Sequence, residues 1–241
     1  MDISVIVQFY NEEENIEFVL SEIVSVLRLL GRKFEIIAVD DGSTDKTSEI
    51  LRNKRKDIEE LIVKAHIKNL GKDACLWAGF EAANGDIVVN TDGDGQDDFN
   101  EVPKMLKYLN EYDAVFGQRV DRCDPPLKVV STKIAFFFRR LILKDNLRDS
   151  TCPLKVMKKK TLKYLFPLGG FHRFIPFLLK EAGVPCIGVD VNHRSRHAGR
   201  SKYYLLRFFV PAIMDLLFMW WYRKTNLYRQ RRDVGQKTGN E

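Results

Sequence analysis

The sequence predicts an α/β fold in which a mostly parallel sheet is flanked by helices. Three observations lead there. Through the first ninety residues, short apolar runs alternate with stretches whose apolar residues recur at helical spacing. The short runs are almost continuously apolar, as strands covered on both faces must be. Acidic residues follow three of those runs directly, at Asn11-Glu12, Asp40-Asp41 and Asp92-Gly93-Asp94. That is the carboxyl edge of the sheet, where ligands of such folds bind. At 241 residues the chain is short enough to be one large domain.

The elements follow in order. Ile3 to Val7 opens a strand that ends near Tyr10. The next helix carries Glu12, Glu13 and Glu14 in its first turn, favourable to the helix dipole. Its apolar residues Ile16, Val19, Leu20, Ile23, Val24, Leu27 and Leu30 form one face, and Gly31 ends it. Phe34 to Val39 is a buried strand, and Ser43 or Thr44 caps the helix after it. Leu61-Ile62-Val63 is a third strand, Lys72 to Ala83 a third helix and Ile87 to Asn90 a fourth strand. From Ala114-Val115-Phe116-Gly117 onward the pattern loosens. Residues 119–160 are basic and loop-rich, helices are expected near 159–166 and 173–183, and a short strand runs from Ile187 to Val191.

Charge divides the chain. Positions 1–100 carry 11 Lys and Arg against 21 Asp and Glu, whereas positions 101–241 carry 28 against 12. An acidic first half suits metal binding, and a basic second half suits an anion or a membrane surface. A nucleic-acid module is disfavoured, because Asp40, Asp41, Asp92 and Asp94 repel phosphate without a metal and no reader motif occurs. The four cysteines form no CxxC pair, which argues against a zinc or redox site. No charged n-region or cleavage signal precedes the first strand, so a cytosolic setting is expected. Phe208 to Tyr222 is 15 uncharged-to-apolar residues interrupted by Pro211 and Asp215, too short to span a bilayer. With its basic flanks it reads equally as a helix lying on anionic lipid or as a helix packed in an oligomer.

Asp92-Gly93-Asp94-Gly95-Gln96 is the sharpest motif. Two carboxylates around a glycine at a strand mouth, with a carboxamide beside them, match the oxygen ligands that Mg²⁺ or Mn²⁺ takes. Loop position twelve is Pro103 rather than the bidentate Glu of a calcium hand. Neither GxGxxG nor a Walker A run is present. His193 and His197 stand at i, i+4, but Arg194, Arg196 and Arg200 around them favour anion contact over metal.

Several further segments carry a resemblance. Val5 to Glu13, Val39 to Thr47, Asn69-Leu70-Gly71-Lys72, Ala78-Gly79-Phe80, Gly85-Asp86-Ile87 and Asp92 to Gln96 are similar, in order, to motifs of family 2 glycosyltransferases. The DxDxQ form and His193-x-x-Arg196-x-x-Gly199-x-Ser201-Lys202-Tyr203 resemble its polyprenyl-phosphate branch, typified by dolichol-phosphate mannose synthases. The resemblance implies a GT-A fold over residues 1–200, an amphipathic membrane-interface or oligomer helix over 201–228 and a polar tail over 229–241. It implies nucleotide binding by Tyr10, Glu12, Asp40, Asp41, Lys72 and Asp92, and Mg²⁺ or Mn²⁺ on Asp92, Asp94 and Gln96. Asp94 and Asp149 take the catalytic positions, and Arg119, Lys128, Arg196, Ser201 and Lys202 the acceptor phosphate. The implied partners are a nucleotide-sugar donor and a polyprenyl phosphate at the cytosolic membrane face, with a saccharide acceptor in cell-wall, capsule or lipopolysaccharide synthesis as the alternative. The sequence departs from the pattern at three places. Gln8 replaces a usual proline, Gly93 a common alanine, and Pro153-Leu154-Lys155 the usual Gly-Phe-Arg.

Overall fold

The structure is a computed structural model that describes residues 1–120, 136–143, 147–195 and 205–225, with backbone alone for 205–212. Seven strands form one sheet: β1 (Ile3–Phe9), β2 (Phe34–Asp40), β3 (Leu61–Ala65), β4 (Ile87–Asp92), β5 (Ala114–Arg119), β6 (Lys155–Lys158) and β7 (Cys186–Val191). Their order across the sheet is β3-β2-β1-β4-β6-β5-β7. All neighbours run parallel except β6, which is antiparallel to both β4 and β5. The helices are α1 (Ile16–Leu29), α2 (Thr47–Asp57), α3 (Lys72–Ala82), α4 (Val102–Lys107), α5 (136–143), α6 (Ile175–Glu181) and α7 (Leu205–Lys224).

Side-chain alternation along each strand feeds two cores, one on each face. Val5, Val7, Ile36, Val89 and Val156 pack with Leu20 and Ile23 of α1 and Val102 and Met105 of α4. Ile6, Ile37, Val88 and Met157 point the other way, toward Leu76 and Phe80 of α3, Phe177 and Leu178 of α6 and Met219 of α7.

Two local expectations are corrected. Helix α1 begins at Ile16, so Glu12, Glu13 and Glu14 lie in the turn before it. Ser43 and Thr44 do not cap α2, which starts at Thr47 with no side-chain cap on Lys46. They fasten the preceding loops together instead: Ser43 Oγ accepts from the Asn11 N–H at 2.9 Å, and the Thr44 N–H donates to Asn11 Oδ1 at 2.7 Å. Asn11 turns the chain off β1 with φ 52°, a left-handed geometry that Asn tolerates better than most residues. Strand β6 and helix α4 have no counterpart among the sequence expectations, and residues 159–166 form a 3₁₀ turn (Lys159–Tyr164) rather than an α-helix.

Candidate active site

The loops after β1, β2 and β4 meet at one edge of the sheet, as the carboxylate positions predict. The two aspartates ending β2 face different tasks. Asp40, 1% exposed, accepts from the Ser43 N–H and hydroxyl through Oδ1 and from the Ser48 hydroxyl through Oδ2. Both of its oxygens are taken up within the fold, so Asp40 shapes the loop. Asp41 holds the segment after β3: Oδ1 lies 2.8 Å from the Leu70 N–H and 2.9 Å from His66 Nδ1, and Oδ2 lies 2.8 Å from the Gly71 N–H. Gly42 lets that segment pass, since a Cβ there, at φ +67°, would sit 2.4 Å from the Lys68 carbonyl carbon.

Asp41 Oδ1, His66 Nδ1 and Cys75 Sγ lie within 4.8 Å of one another. Burial, reinforced by the charges of Asp41 and Asp40, pushes the Cys75 thiol well up, so it stays protonated in this pocket. Tyr10 and Glu12 stand at the rim. The Glu12 carboxylate accepts from Asn15 Nδ2 at 2.6 Å, and a polar cleft lined by Asn11, Glu12, Asn15 and Asp45 opens beside it.

The loop after β4 is folded tightly around glycines. A Cβ on Gly93 would meet the Phe9 ring at 2.3 Å and the Gln8 carbonyl at 2.6 Å, which explains why this position departs from alanine. Gly95 turns with φ +74°. Asp92 receives the Lys72 ammonium on both oxygens, at 2.7 and 2.6 Å. Burial opposes ionisation of Asp92, but the Lys72 charge and hydrogen bond outweigh it and hold the carboxylate below its ordinary range. Asp94 Oδ1 accepts from the Gln96 N–H at 3.1 Å. The segment carrying His193 and Arg194 lies alongside: Asp97 bridges to His193, and the Arg194 N–H donates to the Gln96 carbonyl at 2.9 Å. Arg194 in turn pairs with Glu22 and Asp98.

Sequence reasoning missed Asp97. Buried beneath the motif, it accepts from the Thr91 hydroxyl at 2.9 Å and the Asp92 N–H at 3.1 Å. Burial and then the charges of Asp92 and Asp94 push its carboxyl up to about 6. Negative charge is thus concentrated here beyond what Lys72 offsets. An all-oxygen donor set with surplus negative charge fits a hard divalent cation.

Arg119 and Asp149 are brought together, but not as independent groups. Arg119 Nε and Nη2 clasp Asp149 Oδ2 and Oδ1 at 2.5 and 2.9 Å, and Thr151 Oγ1 takes a further bond from Nη2 at 2.9 Å. Asp149 Oδ1 also accepts from the Thr151 hydroxyl at 2.7 Å. The pair is 8% and 5% exposed. Arg119 therefore directs its guanidinium to Asp149 and Thr151, and Asp149 meets it with both carboxylate oxygens. Of the remaining acceptor candidates, Lys128, Arg196, Ser201 and Lys202 lie outside the described residues, as does His197.

The model of glycosyl transferase family 2 matches residues 4–166. The chain belongs to this family. Among its curated relatives is the undecaprenyl-phosphate 4-deoxy-4-formamido-L-arabinose transferase of Pectobacterium atrosepticum, 30% identical over 218 residues that cover 90% of this chain. The enzyme of the same name from Photorhabdus laumondii is 30% identical over 217 residues and 89% of this chain. This family 2 member spans 66% of the length of either relative. Among solved structures, glucosyl-3-phosphoglycerate synthase from Mycobacterium tuberculosis bound to UDP superposes with a TM-score of 0.66, at 22% identity over 92% of this chain and 79% of that one. The same enzyme with Mn²⁺, UDP and glucosyl-3-phosphoglycerate gives 0.65. These likenesses establish the family 2 catalytic fold, and the GT-A arrangement expected from the sequence is the one observed.

Proposed function

We propose that this family 2 glycosyltransferase moves a sugar, with inversion at its anomeric carbon, from a nucleotide-diphosphate sugar to a polyprenyl phosphate at the cytosolic membrane face. The observation that carries this reading is the acidic loop 92–97 with Lys72 against Asp92, one strand from the loop of Tyr10 and two from that of Asp41. Asp41, Tyr10 and Glu12 face a nucleoside. Asp92, Asp94 and Gln96 hold Mg²⁺ or Mn²⁺, which when bound neutralises the donor diphosphate. Lys72 passes hydrogen bonds to the same phosphates. The names of the curated relatives support a polyprenyl-phosphate acceptor. A phosphate monoester is already an anionic nucleophile and needs no strong base, which accords with Asp149 being locked to Arg119. Lys128, Arg196, Ser201 and Lys202 are the groups assigned to the acceptor phosphate.

Calorimetry with UDP, GDP, CDP and dTDP, with and without Mn²⁺, tests the donor half. One diphosphate is expected to bind, and only with the metal; silence from all four overturns it. Transfer to undecaprenyl phosphate, set beside transfer to soluble oligosaccharides, tests the acceptor half. Transfer to the oligosaccharides alone would replace the lipid with the saccharide reading.

A further inference from the structure

The strand order sets the order of substrate parts. A nucleoside at β2 and a diphosphate at β4 place whatever lies beyond the diphosphate over β6, the next strand in the sheet. Gln8 of β1, Asn90 of β4 and Lys155 of β6 stand on three consecutive strands of the sheet leading to that point. Asn90 and Lys155 are register partners, and Gln8 is the partner of Asp92. Ile6, Val88 and Met157, two residues from Gln8, Asn90 and Lys155, belong to the core against α3 and α6. All three polar residues therefore occupy that same face.

Their hydrogen bonds have a fixed direction. Asn90 Nδ2 donates to the Pro153 carbonyl at 2.8 Å, and a carbonyl can only accept. Asn90 Oδ1 must therefore point to Gln8, which meets it with Nε2 at 2.5 Å. Gln8 Oε1 is left as the free end of this hydrogen-bond chain. It is buried and accepts no hydrogen bond from the described residues, a cost that a bonded ligand removes. On the other side of Asn90, on β6, Lys155 is 3% exposed and donates to the Cys152 carbonyl. An ammonium has three donors, and among the described residues no carboxylate forms an ion pair with this one. One face of the sheet thus holds, on either side of Asn90, a buried acceptor without a donor and a buried cation with donors to spare.

We propose that Gln8, oriented by Asn90, and Lys155 read the hydroxyl groups of the transferred sugar. Gln8 Oε1 accepts from one hydroxyl, and the Lys155 ammonium donates to the oxygen of another. This makes Gln8 and Lys155 specificity-determining residues and Asn90 a positioning residue. The reading rests on the donor site proposed above.

The test is calorimetry on the full chain with Mn²⁺, using the matched pairs UDP with UDP-glucose and GDP with GDP-mannose. In Gln8→Leu and Lys155→Met, the ratio of the sugar-nucleotide Kd to the diphosphate Kd should rise about tenfold, the size of one net hydrogen bond. The diphosphate Kd should stay within about twofold of wild type, which also shows that the variants fold. Equal weakening of both members of a pair overturns the proposal in favour of the diphosphate seat. An unchanged ratio in both pairs, or an effect confined to acceptor KM, overturns it as well. Failure of wild type to bind any of the four removes the donor-site reading first, and this inference with it.

Discussion

Arg119 and Asp149 hold each other in a two-pronged ion pair almost wholly removed from water, and truncating either takes a buried ion-pair partner from the other. Such losses typically cost about 3–5 kcal/mol. Arg119→Ala and Asp149→Ala should therefore both lower the melting temperature by many degrees, and the double variant should fall well short of the sum of the two. An Arg119→Ala protein that melts like wild type but has lost affinity for acceptor would restore the phosphate-binding role. Asp94 behaves oppositely, because its side chain is partly exposed on a loop. Asp94→Ala should abolish metal-dependent diphosphate binding while the melting curve stays nearly unchanged. The sequence marks both positions as charged and interesting, but it cannot say that Arg119 and Asp149 face each other. That depends on β5 reaching the 149–155 loop across 30 residues of chain.

At the scale of elements, one buried carboxylate ties the start of the sheet together. Glu35 on β2 accepts from the Ser4 hydroxyl of β1 at 2.5 Å and from the Asn84 N–H at 2.6 Å, while the Gly85 N–H donates to Ser4 Oγ at 2.7 Å. Burial works to raise its pKa, yet these hydrogen bonds win and hold the carboxylate below its ordinary value. A group lowered by folding stabilises the native state above its unfolded pKa and loses that contribution as pH falls through the folded value. Glu35→Gln should therefore shrink the drop in melting temperature between pH 7 and pH 3, with the larger loss relative to wild type at pH 7. An unchanged pH dependence would refute the assignment. The parallel strands and α1 are legible in the sequence because continuous apolar runs and a periodic apolar face specify them. Strand β6 is not: Lys155-Val156-Met157-Lys158 is four residues long and flanked by basic loop, and only its antiparallel seat between β4 and β5 makes it a strand. Asp97 escaped for a related reason, since the loop's fold rather than its motif buries the residue.

For the whole molecule, the division of charge acquires a surface. Phe137, Phe138 and Leu141 on α5 and Met214, Leu217 and Trp221 on α7 are exposed, whereas Met219 and Tyr222 of the same helix pack inward. Arg223 of α7 donates to the Leu143 carbonyl at the end of α5, so the two helices are joined. Among the described residues no helix is long and apolar enough to cross a membrane. An exposed apolar face in a strongly basic half suits adsorption to anionic lipid. The chain should sediment with vesicles containing anionic phospholipid, lose them as salt rises by about 1 kcal/mol per neutralised basic contact, and show a blue shift of tryptophan emission. Charge-independent self-association without vesicle binding would assign the face to an oligomer instead. The interposed β6 has a temporal consequence. Strands β1 to β4, with the loops proposed for the nucleoside, are complete by Asp92, but β5 joins them through a strand made some 60 residues later. Because distant pairings form slowly, the donor half should gather first on the ribosome and in refolding. Pulse-labelled hydrogen exchange should then protect β1 and β2 before β5 and β7, so that, under the proposed function, the grip on the nucleotide forms before there is anywhere to send the sugar.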